Sequence, residues 1–261
     1  VHDRNRDIKI YAQLAPENIG FIPSDYSGPW GTADMHVASI GEIEFIIQCF
    51  IETAVNLKNE GFDGVQLYGA HGGFLSLFLS PFSNHRDDLY GGSHENRCRI
   101  IHEIVKGIKS KLPDFPVIIK INSTDYIPDG ISINNFKDYA EEIIKTGVEA
   151  VELSGGMWDA MQYDEKQLGF PVVPSLESHT QINDISKQSY FREYSQLFKQ
   201  VNDEIPVILT GGNRDLVLLK EIISNKDADF IGICRPFICE PDLLKKWQEN
   251  EQYKPECINC N

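Results

Sequence analysis

The chain has 261 residues and a formal net charge of −15, because 39 acidic side chains outnumber 24 lysines and arginines. That length suits one large α/β domain, and an apolar content of 41% is enough to build a substantial core. The acidic balance argues against nucleic acid as a partner and against anionic membrane surfaces, since both require a basic face. No uninterrupted apolar run is long enough to span a bilayer, and the polar start VHDRNRD lacks the apolar stretch of a signal peptide.

Short, β-branched apolar runs alternate with longer helical patterns along the chain. The predicted strands are 8–14, 64–69, 117–122, 150–154, 206–210 and 229–233. The predicted helices lie near 41–60, 93–111, 133–146, 189–203, 214–224 and 241–249. Because the strands are almost continuously apolar and helices separate them, the pattern predicts a buried parallel sheet.

The segment that follows the second predicted strand, Tyr68–Arg97, is rich in glycine, histidine and charged residues. In α/β enzymes, chemistry is placed in loops at the carboxyl ends of strands. The phenol of Tyr68 and the imidazole of His71, three residues later, can meet over one ligand atom at a strand-to-loop bend. Both are therefore candidate ligand-binding residues, although a lone histidine is more often structural.

The third predicted strand carries Lys120 among apolar neighbours. A lysine is rarely buried without a partner, so this position predicts a negatively charged group nearby. The alternative is a lysine at a strand end whose ammonium group extends into solvent.

A connection of unusual length, 155–189, follows the fourth predicted strand, and loops of this length are commonly functional lids or disordered. We expect it to cover the active site, because it contains several large side chains that need burial. They are Trp158, Met161, Tyr163, Phe170 and His179.

The last two predicted strands end in a pattern that suits a phosphate. Gly211, Gly212 and Asn213 follow one strand, and Arg235 follows the next. Small residues let backbone N–H groups approach an anion. Eight-stranded α/β barrels often bind phosphate at the loops after their last two strands. The alternative is a tight turn beside a surface arginine.

The Tyr68–Arg97 segment contains FLSP over 78–81, N-x-R-x-D-x-YGGS over 84–93 and ENR over 95–97. It closely resembles the signature loop of the old yellow enzyme family, the FMN-dependent NADH:flavin oxidoreductases. The resemblance implies a (β/α)8 TIM barrel of which about six βα units are present, the first two being absent. Residues 1–250 would form this FMN-binding barrel domain and 251–261 a C-terminal tail. Such a barrel would have two open parallel edges, so we expect the source protein to be longer.

The resemblance also implies roles for individual residues. Gln13 would contact the pyrimidine edge of FMN, Lys120 would stabilise the anionic reduced ring, and the glycine pair with Asn213 and Arg235 would hold the phosphate. NADH or NADPH would be the reductant. Tyr68 and His71 would grip an oxygen of a small-molecule electron acceptor such as an enone. Arg86, Asp87, Tyr90 and Arg97 are interpreted as structural, because an arginine beside carboxylates usually pins a loop.

Two positions depart from the family pattern. Tyr68 replaces the first histidine of the usual His-x-x-His/Asn pair, and Gly73 replaces the usual tyrosine that protonates the alkene carbon. Since general acid catalysis contributes about 10²–10⁴-fold, we expect flavin binding and NAD(P)H oxidation to persist while enone reduction is weak or altered. Tyr163 and His179 are alternative proton donors.

The cysteines give two further expectations. Cys49 and Cys98 fall in helical apolar patterns, which indicates a reducing compartment and a cytoplasmic protein. Cys257 and Cys260 form a C-x-x-C pair, which in the dienoyl-CoA reductase-like branch of the family belongs to a 4Fe–4S site. Two cysteines alone cannot hold that cluster, so it requires a longer chain; otherwise the two are ordinary thiols.

Three functions are weighed. The first is an FMN-dependent oxidoreductase, and the second is a flavin-binding pseudoenzyme that lacks productive catalysis. The third is another flavin barrel, such as a dihydroorotate dehydrogenase-like enzyme, and the FLSP–ENR pattern argues against it. The acceptor, the choice between NADH and NADPH and the formation of a homo-oligomer are left open.

Overall fold

The computed structural model describes residues 9–15, 20–25, 35–170, 178–182 and 184–259. Its strands, in chain order, are β1 (Tyr11–Leu14), β2 (Phe21–Ile22), β3 (His36–Val37), β4 (Gly64–Gly69), β5 (Val117–Asn122), β6 (Val151–Ser154), β7 (Val207–Leu209) and β8 (Phe230–Ile231). Its α-helices are α1 (Ile40–Asn59), α2 (Phe74–Leu79), α3 (His94–Lys111), α4 (Phe136–Lys145), α5 (Glu165–Leu168), α6 (Arg192–Val201), α7 (Leu216–Ser224), α8 (Arg235–Cys239) and α9 (Leu243–Glu249). Short 3₁₀ helices lie at Trp158–Gln162 and Ile185–Lys187.

The main sheet is parallel and follows the order β1-β4-β5-β6-β7-β8. Each predicted strand and each predicted helix is present, with ends one to three residues shorter for most of them. The small parallel pair β2–β3 and the short helices α2, α5 and α8 were not predicted. Within the described residues the sheet is thus an arc of six strands, as expected for six units of a (β/α)8 barrel.

Helix α1 shows how local sequence sets an element. Ser39 caps it, accepting a hydrogen bond from the Glu42 backbone while the Glu42 side chain returns to the Ser39 backbone. Its buried side chains recur at spacings of three and four, as the sequence predicts, and they face the sheet. They include Ile43, Ile46, Ile47, Phe50 and Ala54.

The main core lies between the outer face of the sheet and helices α1, α3, α4 and α6. Alternate strand residues such as Leu67, Ile119 and Leu153 are fully buried there. Because side chains alternate across a strand, the residues between them point to the barrel interior. Gln66, Tyr68, Lys120 and Glu152 occupy such interior positions, and this places polar groups at the centre of the fold.

The segment after α9 packs back against the barrel. Arg214 donates to the Pro255 carbonyl over 3.1 Å, Lys254 pairs with Asp215, and the Glu256 backbone donates to Glu240 over 2.6 Å. No helix within the described ranges is long and apolar enough to cross a membrane.

Candidate active site

A cavity of about 290 Å³ opens at the carboxyl ends of the strands. It is lined by residues from β4 to α8 and by the C-terminal segment. Six of the predicted site residues line it: His71, Lys120, Gly211, Gly212, Asn213 and Arg235. The two others, Tyr68 and Gln13, are not part of the lining but are joined to it through hydrogen bonds. The fold therefore brings together residues that are up to 164 positions apart in sequence, from His71 to Arg235.

The turn after β7 has the backbone geometry of an anion cradle. Gly211 and Gly212 both have positive φ, +95° and +73°, which an L-residue with a side chain rarely adopts. Asn213 is 4% exposed, and its amide donates to the Leu209 carbonyl over 2.7 Å and to the Gly232 carbonyl over 3.0 Å. Its side chain thus ties the β7 turn to the β8 turn, so contact with a ligand would come from its backbone.

Arg235 begins α8 at the same end of the cavity. Its Nη1 donates to the carbonyl of His179 over 3.0 Å, which connects the long 155–189 connection to the cavity wall. A guanidinium that lines the same cavity as Gly211 and Gly212 is a donor that matches the oxygens of a phosphate.

His71 is the centre of a hydrogen-bonded chain. Its Nδ1 lies 2.8 Å from the Tyr68 hydroxyl, its Nε2 lies 2.6 Å from the Ser154 hydroxyl, and its backbone N–H donates to Asn122 over 3.0 Å. The histidine has φ +60°, a conformation that is uncommon outside glycine, and these three bonds hold it there.

Burial lowers the pKa of His71 from 6.5 to about 3, and the charge of Lys120 acts in the same direction. The ring is therefore neutral at neutral pH and has a single N–H, which donates to one hydroxyl while the other hydroxyl donates to the ring. With the hydrogen on Nδ1, Tyr68 accepts from His71 and its own O–H is directed to another acceptor. With the hydrogen on Nε2, Ser154 accepts from His71, and the O–H of Ser154 is directed to another acceptor.

A row of polar side chains crosses four strands on the interior face. Gln13 donates to Gln66 over 2.8 Å, Gln66 donates to Glu152 over 2.6 Å, and Glu152 pairs with Lys120 over 2.9 Å. Lys120 therefore has a partner within the protein, whereas the sequence suggested either the reduced flavin or solvent as the surroundings of its ammonium group. Gln66, Glu152 and Ser154 were missed in the sequence, although a single polar residue between apolar ones in a strand is the signal that identified Lys120.

The long connection contributes an aromatic stack. The ring of His179 lies between Phe170 at 3.7 Å and Tyr190 at 3.9 Å, measured between ring centroids, with the planes nearly parallel. Burial, and secondarily the charge of Arg235, lowers the pKa of His179 to about 3. Ser178 lines the cavity; residues 171–177 and 183 of the predicted cover lie outside the described residues.

Neither alternative proton donor lines the cavity. His179 is enclosed in the stack, and its Nε2 lies 3.4 Å from the Tyr126 hydroxyl. Tyr163 packs against an apolar cluster that includes Ile22 and Met157. These positions could not be predicted, because the connection has no periodic sequence pattern that defines its path.

The second half of the Tyr68–Arg97 segment is structural scaffold. Arg86 pairs through both Nε and Nη2 with Asp88, and its Nη1 donates to the carbonyls of Pro23 and Ala38 over 2.7 Å. The carboxylate partner is Asp88, and Asp87 is exposed. Three connections meet on this one guanidinium, so it fixes the loop that carries the signature.

The C-terminal cysteines give a partial result. Cys257 is buried, with its Sγ 3.8 Å from Asn259 Oδ1, and Cys260 lies outside the described residues. Among the residues that the structure describes, no group of three or more His, Cys, Asp or Glu side chains could hold a metal ion.

The model of the NADH:flavin oxidoreductase / NADH oxidase family matches residues 30–254 of the chain. The chain belongs to this family. It is 33% identical to an NADH oxidase of Thermoanaerobacter brockii over 225 residues, which are 85% of this chain and 32% of that protein. It is 30% identical to an NADH-dependent flavin oxidoreductase of Hypocrea jecorina, over 92% of this chain and 59% of that protein. The family predicted from the signature loop is therefore confirmed.

Solved structures confirm the barrel fold. A 2-naphthoyl-CoA reductase complex superposes with a TM-score of 0.75 at 23% identity, over 91% of this chain and 34% of that chain. A histamine dehydrogenase from Rhizobium sp. 4-9 superposes with a TM-score of 0.71 at 24% identity, over 92% of this chain and 34% of that chain. The chain thus spans between one third and three fifths of the length of the proteins it matches here.

The cavity suits the flavin that this family uses. Its donors are of two kinds: Arg235 with the positive-φ glycines, which fit a phosphate, and Lys120 with the interior amides, which fit the polar edge of a ring. The roles of these site residues are assigned from their chemistry and from their positions in or beside the cavity.

Proposed function

We propose that the protein is an FMN-dependent oxidoreductase that uses NADH or NADPH to reduce a small-molecule acceptor of the activated-alkene type or a similar compound. The observation that carries the proposal is the single cavity that joins a phosphate-type donor set, Lys120 and the His71 hydrogen-bonded chain. Family membership supports the flavin and the nicotinamide reductant.

Bound FMN would supply reversible hydride uptake at its N5 atom. The residues of the chain would position and stabilise it. Arg235 and the backbone of Gly211, Gly212 and Asn213 would hold the phosphate, and Gln13 would contact the pyrimidine edge. Lys120, whose ammonium group lies in the cavity wall, would offset negative charge on the reduced ring.

Tyr68 and His71 would bind the oxygen of the acceptor and stabilise the charge that develops on it. A neutral His71 is suited to this, because the hydroxyl that accepts its ring N–H can direct its own O–H to the acceptor without bringing a fixed charge into the cavity. The acceptor would be oriented by these donors, and its reacting carbon would need a proton from another source, since Gly73 has no side chain.

The second candidate is a flavin-binding protein with little ene-reductase activity. The absence of a side chain at Gly73 favours it, since Tyr163 and His179 both lie outside the cavity lining. A third arrangement, a 4Fe–4S cluster on Cys257 and Cys260 in a longer chain, is supported by the C-x-x-C spacing alone. The cytoplasmic location remains a proposal from the cysteine pattern of the sequence.

Anaerobic spectroscopy of the whole protein separates these candidates. After FMN is added and unbound FMN is removed, we expect flavin absorbance to stay with the protein. We expect NADH or NADPH to bleach it, and 2-cyclohexenone to restore it slowly. If the flavin absorbance recovered at a rate typical of ene-reductases, the expectation that Gly73 slows enone reduction would be wrong. Bound flavin that neither nucleotide bleaches would identify the pseudoenzyme, extra broad absorbance bleached by dithionite would reveal a cluster, and a failure to bind FMN would overturn the main proposal.

A further inference from the structure

The ion pair between Lys120 and Glu152 is held by the sheet register and by a further hydrogen bond to Glu152. Their strands are adjacent and in register, so the two residues lie opposite each other in the sheet. One carboxylate oxygen of Glu152 lies 2.9 Å from the Lys120 ammonium, and the other accepts from Gln66, which is held by Gln13. The side chains are 21% and 14% exposed, and both residues line the cavity.

A partly buried ion pair of this kind has an electrostatic consequence for a ligand. At short range in a partly desolvated site, a lysine alone would present a full positive charge to an anionic ring, whereas a carboxylate at 2.9 Å cancels most of that field. The other titratable groups of the cavity do not replace it, since His71 is neutral at neutral pH and Arg235 belongs to the glycine end. The charge seen by the ring therefore depends on Glu152 as much as on Lys120.

We propose that Glu152 is a positioning residue that sets the reduction potential of the bound flavin, by holding Lys120 in place and neutralising part of its charge. The inference rests on the proposed FMN site and adds a determinant to it. It follows that the protein binds reduced flavin less tightly, relative to oxidised flavin, than the same site would with an unpaired lysine.

Glu152→Gln tests this, because it removes the charge and keeps an oxygen that accepts from Gln66. In the FMN-loaded protein, we expect the ratio of affinities for reduced and oxidised flavin to rise about tenfold, which is about 30 mV for a two-electron couple. The potential is measured by anaerobic equilibration with a reference dye. Glu149→Gln is the matched control: it removes the same charge from a residue that pairs with Lys109 and bonds to the Val117 backbone outside the cavity.

A background without the lysine separates charge from simple structural damage. If Glu152 acts partly by holding Lys120 in place, the shift caused by Glu152→Gln should be smaller in Lys120→Met protein, where only the carboxylate's own charge is removed. Should Glu152→Gln fail to fold, Glu152→Asp, which shortens the carboxylate's reach, is expected to give a smaller shift in the same direction. An unchanged potential in flavin-loaded protein, or a shift of equal size with and without Lys120, would overturn the inference alone. Absence of flavin absorbance in the unsubstituted protein would instead overturn the proposed function beneath it.

Discussion

The ring of Tyr68 lies directly against Gly73: a Cβ atom at position 73 would be 3.0 Å from both Cδ1 and Cε1 of that ring. The two departures from the family pattern are therefore linked by contact. A tyrosine at 68, in the position where it bonds to His71, occupies the space in which a side chain at 73 would begin. Restoring a tyrosine at 73 alone would displace Tyr68 before it supplied a proton donor.

This contact predicts a coupling between the two positions. Gly73→Ala should lower the free energy of unfolding by about 1–2 kcal/mol, because the added methyl group crowds the ring. The loss of stability caused by Gly73→Ala should be smaller in a Tyr68→Ala background. Gly73 is also the N-cap of α2, but any capping effect of the substitution is the same in both backgrounds, so the difference reports the contact with the ring. Urea denaturation of the four proteins measures the difference, and equal costs in both backgrounds would argue against the contact.

Removal of the Tyr68 hydroxyl should affect the acceptor more than the flavin. Tyr68→Phe deletes the group that lies 2.8 Å from His71, and loss of one such donor to a developing oxyanion typically costs about 10²–10³ in rate. We expect a slower transfer to the acceptor with little change in FMN affinity or in reduction by NADH. Stopped-flow measurement of the two half-reactions tests this, with Tyr163→Phe as the control, because Tyr163 packs against the apolar cluster that includes Ile22 and Met157. A loss confined to the reductive half-reaction would contradict the assigned role.

The two buried histidines predict how stability depends on pH. Burial lowers the pKa of His71 and of His179 to about 3, so between their unfolded value of 6.5 and about 3 the unfolded chain binds protons that the folded protein does not. Stability should therefore be fully present above about pH 6.5 and fall as the pH falls through this window. At about pH 5 each histidine could remove up to about 2 kcal/mol.

His71→Asn isolates one of these contributions, because asparagine accepts a positive φ and has no charge to gain. We expect the variant to lose less stability than the unsubstituted protein between about pH 7.5 and about pH 5, as measured by urea denaturation. An identical loss in both proteins would show that His71 is not responsible.

Arg235 should be specific for the phosphate of the cofactor. We expect Arg235→Gln to raise the dissociation constant of FMN about 10- to 100-fold, since hydrogen bonds to charged groups are worth about 1.5–3 kcal/mol. Binding of riboflavin, which has no phosphate, should be almost unchanged. Arg214→Gln is the matched control, because that arginine lies in the turn after β7, next to the glycine pair, but donates to the carbonyls of Ile182 and Pro255. Equal weakening of FMN and riboflavin would assign Arg235 a structural role.

The sequence was sufficient for the parts of the fold that repeat. Apolar runs and helical spacing located the six strands of the main sheet and the long helices, because burial on one face imposes a period. Helix α2 was missed because FLSLFL is buried all round and shows no such period. The strand pair β2–β3 is only two residues long on each side, too short to leave a pattern.

For the site, the sequence located the residues but not their partners. Lys120 was identified from its apolar surroundings, yet its pairing with Glu152 depends on the register of β5 and β6, which no local pattern specifies. The chain of Tyr68, His71 and Ser154 likewise joins residues up to 86 positions apart, from 68 to 154. Contacts of this kind arise only when the parallel strands are aligned.

Tyr190 gives the glycine pair after β7 a reason to exist that is independent of any ligand. A Cβ atom at Gly211 would be 2.5 Å from the ring of Tyr190, and one at Gly212 would be 3.0 Å from it. A relative that had lost its flavin but kept this aromatic residue would still need both glycines. In a genome survey for working flavoproteins, a Gly-Gly doublet is therefore a weak diagnostic, and the presence of basic residues matching both Lys120 and Arg235 is the more informative marker.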